Sequence, residues 1–415
     1  MEPITTIGTE HEYELVDKQG YLANIAPTFY EAPENLAGEF KGSFEKEGTD
    51  AQIEVHGAPE GTGTIRELHG DLVPRLELAH QIAEREGAYI VPGSEYGAGE
   101  GELNKAITRF EGYRAIIGEK GSDKILRISG THKHLSQVPG YLREQFLLMS
   151  TLDPLMIGLT STSPISYTGK NGAYCHRVKL VRDDVFSDPK LGGQLVYPTS
   201  AEDIAQLGKA TFHAWQEASQ IAEDRFREMG FSENNTGYNP LRVKSDLGTL
   251  EGRGADTGPV DTILPAAAVL KGVVDRAAKY RTPVTIAKKE GEYAFSDENI
   301  VVPSLSTLQD MERTTVRQGP RVDPFTRDFN LAAVQFALGG LPAQDKPYAR
   351  IAHELLTGEK ALVASEMMRH LHEMKGENRT KSYNGKKATS EQAASLNIFL
   401  AQRHNQGIQN LEHLL

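Results

Sequence analysis

The sequence predicts an α+β fold, in which a mostly antiparallel sheet forms the face of a functional site and helices pack on its other side. Strand-like and helical segments mix without the regular alternation that is typical of a doubly wound parallel sheet. From residue 260 onward, helical patterns dominate up to the C-terminus. The 415 residues are 39% hydrophobic and 25% charged, which is typical of a soluble globular protein. We expect a single domain over 1–415, with a helical C-terminal part over 341–415.

Charge and cysteine content exclude several classes of protein. The formal net charge of −12 argues against nonspecific binding to nucleic acid or to an anionic membrane surface. Cys175 is the only cysteine, which excludes an intramolecular disulfide framework and a metal site with several cysteines. The first residues lack the apolar core of a signal peptide, and no apolar run approaches the ~18 residues of a membrane span. We therefore expect a cytoplasmic protein with neither nucleic-acid nor membrane partners.

Short runs of β-prone residues predict the strands. The stretch IGTEHEYELVD combines Ile7, Tyr13 and Leu15 with acids at every second position, and AQIEVHG has a similar pattern. Strands are predicted over 4–16, 51–57, 89–93, 124–137 and 248–256. Residues 17–50 are rich in Gly, Glu and Pro, so this segment is expected to be irregular.

Apolar residues at helical spacing predict three helical segments before residue 260. These segments cover 65–86, 140–159 and 201–230. We expect Pro74 to break the first segment or to lie in a first helical turn, and Pro154 to divide the second into a pair of helices, because a proline inside a helix removes one backbone hydrogen bond. Gly230 is well placed as the C-cap of the third segment, which we predict as one helix.

Four strand-like segments carry pairs of polar residues separated by one residue. The pairs are Glu10 and Glu12, Glu54 and His56, His132 and His134, and Glu251 and Arg253. In a strand such residues share one face, about 6.5–7 Å apart. Two carboxylates at that separation do not easily chelate one small ion, but they suit two neighbouring ions, or an ion and a substrate group. Oxygen-rich sites with one imidazole favour Mg²⁺ or Mn²⁺.

Each pair also has a plain structural interpretation. Charged residues at alternate positions of an antiparallel sheet usually face water, and Arg253 could form a salt bridge with a neighbouring acid. The shared spacing, with apolar residues beside each pair, favours a functional face. The chain has no GxxxxGK[ST] loop, and the glycine-rich run GSEYGAGEGE lacks the GxGxxG spacing. If the protein uses a nucleotide, metal ions on the sheet must hold its phosphates.

Five motifs in a fixed order resemble those of glutamate–cysteine ligase family 2. They are IGTEHEYELVD, QIEVHGAP, SGTHKHLSQ, LTSTSPISYTGKNGAYCHRV and GTLEGRGADTGP, which together span 7–259. A weaker similarity continues over 327–340. The resemblance implies the fold that these carboxylate–amine ligases share with glutamine synthetase, to which the fold of phosphagen kinases is related. It also implies that ATP drives formation of an amide, through an acyl phosphate, between an amine or aminothiol and a carboxylate, commonly the γ-carboxylate of glutamate.

The resemblance implies two metal sites. By position, Glu12 and Glu54 would hold one Mg²⁺ or Mn²⁺ ion. Glu10, His132 and Glu251 would hold a second ion that bridges the phosphates of ATP. The expected partners are therefore small molecules, and a homo-oligomer is possible.

The remaining roles fall on basic residues. The resemblance implies that His134 contacts an ATP phosphate and that Arg253 stabilises the transferring phosphoryl group, which makes Arg253 and Glu251 the catalytic candidates. Arg177 and Arg242 are candidates for substrate carboxylates or phosphate, because the guanidinium fork matches both. A surface ion pair is the alternative for these two arginines.

The sequence departs from the family pattern at several positions. Lys170 and Asn171 stand where relatives more often carry an acid, which leaves the acceptor specificity open, and His11 stands where an apolar residue is usual. Glu14 has no counterpart in the motif, so we expect a solvated acid at the outer end of the strand. The polar, basic segment 375–392 is expected to be a loop, a tether or a lid.

Two other functions stay open at this point. A phosphagen-type kinase would stop at phosphoryl transfer and release a stable phosphorylated product. A homologue that has lost catalysis would bind nucleotide without turnover, although the presence of all five expected metal ligands argues against it.

Overall fold

The computed structural model describes residues 4–95, 98–103, 108–165, 173–374 and 388–415. Its main sheet has seven strands in the order β2-β3-β1-β5-β7-β6, with β4 paired to β1, and all these pairs are antiparallel. The strands are β1 (Ile7–Asp17), β2 (Phe44–Lys46), β3 (Gln52–Thr62), β4 (Ala88–Val91), β5 (Gly130–Ser136), β6 (Leu241–Lys244) and β7 (Thr249–Asp256). A small second sheet contains β8 (Val284–Ile286), β9 (Ala294–Phe295) and β10 (Ile300–Val302).

Helices make up most of the remaining described structure. Those of the first half are α1 (Ala26–Tyr30), α2 (Pro33–Leu36), α3 (Ile65–Arg85), α4 (Arg109–Ile125), α5 (Leu142–Thr151), α6 (Asp153–Thr160), α7 (His176–Lys179), α8 (Ala201–Ser219) and α9 (Glu223–Glu228). Those of the second half are α10 (Val260–Tyr280), α11 (Leu305–Gln318), α12 (Pro324–Gly340), α13 (Lys346–Thr357), α14 (Val363–Met374) and α15 (Ser390–Leu411). No helix in the described ranges combines the length and the apolarity that are needed to cross a membrane.

The alternation of side chains along β1 gives the sheet its two faces. Tyr13 and Leu15 are fully buried in the main core together with Leu72 of α3 and Val269 of α10. The acids at even positions lie on the opposite face, because successive side chains of a strand point to opposite sides. The predicted α+β class, with a mostly antiparallel sheet and helices packed behind its polar face, is confirmed. The single domain over 1–415 stays a prediction; α13, α14 and α15 lie in the part predicted to be helical.

Several predicted elements differ in extent. The strand expected over 124–137 begins only at Gly130, because Lys124 and Ile125 close helix α4. Pro74 lies inside the continuous helix α3. The helix expected over 201–230 ends at Ser219, because Gln220 adopts a left-handed backbone conformation with φ +56°. The segment 17–50 contains the short elements α1, α2 and β2.

A bulge in β7 sets which of its side chains face the polar side. Thr131 pairs with Ala255 but Lys133 pairs with Gly252, so two residues of β7, Arg253 and Gly254, stand opposite a single residue of β5. Such a bulge shifts the alternation of side chains by one position. As a result Asp256 falls on the same face as Glu251 and Arg253, a position that strict alternation would have given to Ala255.

Two neighbouring histidines, His404 fully buried and His80 half-buried, connect the C-terminal helix α15 to the sheet and predict acid lability. The ring of His404 lies 5.2 Å from that of Tyr13 and 5.3 Å from that of His80. Neither ring nitrogen of His404 has a hydrogen-bond partner in the described part of the chain. Burial lowers the pKa of His80 to about 4 and that of His404 well below its ordinary value. In the unfolded chain these histidines bind a proton near pH ~6.5, whereas in the folded protein they do so only at lower pH. Their contribution to the free energy of unfolding is therefore complete above pH ~6.5 and is lost as the pH falls toward their pKa values in the folded protein.

We expect His404→Phe to move the midpoint of acid unfolding to lower pH by about 0.5–1 unit, because it removes one group that must charge in the interior. Far-UV circular dichroism between pH 7 and pH 3 measures this midpoint. His413→Phe, at an exposed position near the end of the same segment, is the matched control and is expected to unfold like the native chain. An unchanged midpoint for His404→Phe would contradict the assignment.

Candidate active site

The polar face of the sheet arranges its residues in rows across neighbouring strands. One row runs from Glu45 of β2 through Glu54 of β3 to Glu12 of β1. The next runs from His56 of β3 through Glu10 of β1 to His132 of β5. A third runs from His134 of β5 through Glu251 of β7 to Arg242 of β6. Strand pairing therefore brings together on one surface residues that are as distant in the sequence as Glu10 and Glu251.

The first cluster contains Glu10, His132 and Glu251, and each residue offers a ligand atom within 4.8 Å of the others. His132 Nδ1 lies 3.1 Å from Glu10 Oε2 and 3.5 Å from Glu251 Oε1. Burial alone would raise the pKa of Glu10, but hydrogen bonds with His132 and His134 hold it well below its ordinary value. The cluster therefore keeps Glu10 in the anionic form that a divalent cation requires.

The second cluster contains Glu12, Glu54 and the same histidine, again with ligand atoms within 4.8 Å. His132 Nε2 lies 3.7 Å from Glu12 Oε1, so the imidazole ring stands between the two clusters and turns one nitrogen toward each. Glu45, Glu54 and His56 form a third group of the same kind at the exposed edge. Glu10 and Glu12 thus fall into different clusters, as their spacing along the strand predicts.

Crowded carboxylates make the second cluster a good fit for a divalent cation. Burial and the charges of Glu10 and Glu12 raise the pKa of Glu54 well above its ordinary value. Burial and the charges of Glu12 and Glu54 do the same for Glu47. A cation bound between these carboxylates would offset their mutual repulsion and favour the ionised form. Oxygen ligands with one imidazole suit Mg²⁺ or Mn²⁺.

Glu251 connects the first cluster to two arginines. Arg253 Nη1 donates to Glu251 Oε1 over 2.6 Å, and Arg242 Nη1 lies 3.5 Å from Glu251 Oε2. Although burial would raise the pKa of Glu251, Arg242 and Arg253 hold it far below its ordinary value. Burial and the charge of Arg253 lower the pKa of Arg242 to about 10. Two guanidinium groups therefore stand beside the carboxylate clusters, where they can meet an anionic substrate.

Arg177 reaches the same surface from helix α7. Its Nη1 lies 3.6 Å from Asp256 Oδ1, and its Nη2 donates to the carbonyl oxygen of Arg253 over 3.3 Å. Asp256 also accepts from Ser163 Oγ over 2.6 Å, which ties the loop after α6 to β7. A Cβ atom at Gly130 would lie 2.1 Å from Arg177 Nη2, so only glycine leaves room for the arginine there. The predicted candidates Lys170 and Asn171, and most of 375–392, lie outside the described residues.

A cavity of about 460 Å³ opens over these residues. It is lined by Glu10, Glu12, Glu54, His132, Arg177, Arg242, Glu251 and Arg253 among others. His134 is not one of the described residues that line it: its Nε2 lies 3.2 Å from Glu10 Oε1 and its Nδ1 3.1 Å from Thr249 Oγ1. The predicted contact between His134 and an ATP phosphate stays a prediction.

Several residues that line the cavity were not predicted from the sequence. Arg109 and Tyr113 of α4 and Tyr238 also line the cavity, and no motif points to them. Lys244 also lines the cavity, and the alternation Arg242–Val–Lys244 could have revealed it. Arg109 is fixed by a 3.0 Å hydrogen bond from its Nη2 to Asn235 Oδ1. The cavity lining thus combines acidic, basic and aromatic side chains.

The expectation of a solvated Glu14 is wrong. Glu14 is fully buried, and in the described ranges neither carboxylate oxygen has a hydrogen-bond partner. The physical reason is that helix α15 packs over this end of the polar face. Val16 of β1 and Val91, the β4 residue opposite Glu14, are buried in one cluster with Leu396 and Leu400 of α15. A Cβ atom at Gly93 would lie 2.9 Å from Glu14 Oε2. Burial and the charge of Glu95 raise the pKa of Glu14 well above its ordinary value.

Comparison with solved structures identifies the fold. A bifunctional glutathione synthetase from Pasteurella multocida superposes with a TM-score of 0.60 at 14% identity, covering 98% of this chain and 53% of that protein. The chain therefore spans about half the length of that enzyme. Glutamate–cysteine ligase from Francisella tularensis, solved in complex with AMP, superposes with a TM-score of 0.55 at 12% identity, covering 100% of this chain and 92% of that one. Protein-family models gave no match, and neither did curated protein sequences. The chain therefore has the α+β fold of these two ligases, as its five motifs predict.

Proposed function

We propose that this protein is an ATP-dependent ligase that joins a carboxylate to an amine. The observation that carries the proposal is the pair of adjacent carboxylate–imidazole clusters, which share His132 and face a cavity that also contains Arg177, Arg242 and Arg253. Phosphoryl transfer needs charge neutralisation and positioning more than covalent chemistry, and this arrangement can supply both. The similarity to two ATP-using ligases in fold supports the same reading.

Glu12 and Glu54 would hold one Mg²⁺ or Mn²⁺ ion, and Glu10, His132 and Glu251 a second. When bound, these ions would neutralise the phosphates of ATP and orient them toward the acid substrate. The carboxylate of the acid attacks the γ-phosphorus and forms an acyl phosphate while ADP leaves. An amine then attacks the acyl carbon, forms the amide and displaces inorganic phosphate.

Basic residues have defined places in this scheme. Arg253 would stabilise the phosphoryl group during its transfer, because its guanidinium is fixed 2.6 Å from Glu251 at the edge of the first cluster. His134 would contact a phosphate. Arg177 and Arg242 would bind the carboxylates of the acid, because paired N–H donors match a carboxylate geometrically.

For the substrates, we propose a glutamate-like acid that is activated at its γ-carboxylate, and an amine or aminothiol as the acceptor. The five motifs and the names of the two similar structures support this choice. Cytoplasmic location and a homo-oligomeric state stay predictions from the sequence.

An ADP-release screen tests the proposal. Purified protein, ATP and Mg²⁺ or Mn²⁺ are combined with glutamate and other acids, each against a panel of amines that includes cysteine. We expect ADP and phosphate to appear together, in a 1:1 ratio with an amide that mass spectrometry identifies. ADP released with a stable phosphorylated product would assign a phosphagen-type kinase. Binding of ATP with Mg²⁺ in calorimetry, without turnover on any pair, would assign a non-catalytic homologue.

A further inference from the structure

A second cavity lies on the other side of strand β6 and shares no lining residue with the candidate active site. We name it the β6 cavity. Its lining includes Leu207, Thr211 and Ala214 of α8, together with Phe146 of α5, Leu241 of β6, and Leu195 from the segment before α8. Its volume of about 390 Å³ falls within the range of ~300–1,000 Å³ that is typical of small-molecule sites. None of the functions proposed above uses it.

The lining of the β6 cavity indicates the kind of ligand that it would take. Phe146, Leu195 and Leu241 are buried and apolar. Lys190, His213 and Glu217 also line the cavity but are exposed, so a cation, an imidazole and an anion stand at its mouth. A ligand with a single charge would meet an attractive and a repulsive partner there, whereas a ligand with both charges can pair with each. An apolar body with an ammonium and a carboxylate describes a free α-amino acid with an apolar side chain.

We propose that the β6 cavity binds a free apolar α-amino acid and that its occupancy influences the candidate active site. Strand β6 provides the connection, because Leu241 faces the β6 cavity and the next residue, Arg242, faces the active-site cavity. The carbonyl oxygen of Pro240, another lining residue, accepts a hydrogen bond from the backbone N–H of Arg253 over 2.9 Å. A ligand that shifts this edge strand therefore moves the two arginines that flank Glu251.

The single tryptophan of the chain offers a direct reading of binding. Trp215 follows Ala214 in α8, and its Nε1 donates over 2.6 Å to the carbonyl oxygen of Leu191, the residue after Lys190. Titration with L-phenylalanine, followed by Trp215 fluorescence and by calorimetry, is expected to give saturable 1:1 binding. The absence of saturable binding in both measurements would overturn the proposal.

A matched pair of variants locates the site. Ala214→Phe places a ring inside the β6 cavity and is expected to weaken L-phenylalanine binding at least tenfold. Ala205→Phe introduces the same ring on the opposite face of α8, where Ala205 is exposed, and is expected to bind as the native chain does. Equal binding by Ala214→Phe and the native chain would place the ligand elsewhere and overturn the proposal. Circular dichroism checks that both variants are folded.

Analogues test the role of the two charges. L-Phenylalaninamide lacks the carboxylate and 3-phenylpropionate lacks the ammonium group, so each is expected to bind at least fivefold more weakly than L-phenylalanine. Glu217→Gln should bind L-phenylalanine and 3-phenylpropionate equally, because the partner of the ammonium group is gone. Lys190→Gln should bind L-phenylalanine and L-phenylalaninamide equally, because the partner of the carboxylate is gone. Binding of 3-phenylpropionate as tight as that of the amino acid would overturn the assignment to amino acids.

Only the coupling to the active site rests on the proposed function. The affinity for ATP with Mg²⁺ is measured by calorimetry with and without saturating L-phenylalanine, and we expect it to change at least threefold. Because coupling is reciprocal, ATP must change the affinity for L-phenylalanine by the same factor. An unchanged ATP affinity in the presence of bound L-phenylalanine would overturn the coupling. A protein that binds L-phenylalanine but no ATP would instead contradict the proposed function.

Discussion

Replacing Glu251 by glutamine is expected to reduce ATP turnover to below about one thousandth of the native rate. The substitution removes a negative charge from the first cluster, where Glu251 lies with Glu10 and His132, and leaves the shape of the side chain unchanged. Coupled-enzyme detection of ADP, with the acid and amine that the screen identifies, measures the effect. Native turnover in this variant would remove the metal-site proposal.

Stability must be separated from chemistry in this experiment. Glu251 is 2% exposed in its side chain and faces Arg242 and Arg253, and loss of one partner of a buried pair costs about 3–5 kcal/mol. Glu251→Asp keeps the charge for both arginines and withdraws the carboxylate by one methylene group. We expect it to unfold close to the native temperature yet lose more than about 100-fold in turnover. Glu228→Gln, at an exposed position, is the inert control.

Replacing Arg253 by methionine is expected to lower kcat by about 10³–10⁵-fold, the range found for arginines that stabilise a transferring phosphoryl group. The affinity for ATP with Mg²⁺ is expected to change much less, because the carboxylate clusters stay in place. Arg253 lines the active-site cavity and is held by Glu251, so its position does not depend on the substrate. Steady-state kinetics and calorimetry on the same preparation separate the two quantities.

Two further variants make the Arg253 result specific. Arg253→Lys keeps the charge but loses the planar fork, and it should recover part of kcat. Arg225→Met changes an exposed arginine of α9 and should leave both quantities unchanged. A large loss of ATP affinity with native kcat in Arg253→Met would assign Arg253 to ground-state binding and contradict the catalytic role.

The separation of Glu10 and Glu12 into two clusters could be predicted from the sequence. Residues at alternate positions of one strand share a face but stand too far apart for one small ion. The same rule applies to His132 and His134 and to Glu251 and Arg253. What the spacing could not predict is that the ring of His132 stands between the clusters and turns one nitrogen toward each, because this depends on the order of β3, β1 and β5 in the sheet.

Glu14 and Asp256 illustrate where strand periodicity is insufficient. Glu14 continues the row of Glu10 and Glu12, but helix α15 packs over that end of the sheet and the carboxylate is buried. Strict alternation along β7 would place Asp256 on the face opposite to Glu251 and Arg253. The bulge at Arg253 and Gly254 shifts the alternation by one residue and places Asp256 on the same face as these two. A strand near β4 is predicted from the sequence, but neither the packing of α15 on this end of the sheet nor the bulge has a sequence signal of its own.

The sequence by itself determined the α+β class, the strands that carry the acids, histidines and arginines, and the residues that those strands present to one face. These properties follow from local alternation, which a chain expresses before any distant contact forms. Only the tertiary structure decided that His132 stands between the two clusters, that Glu14 is buried, that Arg109 and Tyr113 line the cavity, and that a second cavity lies on the other side of β6. These depend on contacts between segments far apart in the chain, which strand order, bulges and helix packing fix and local pattern does not.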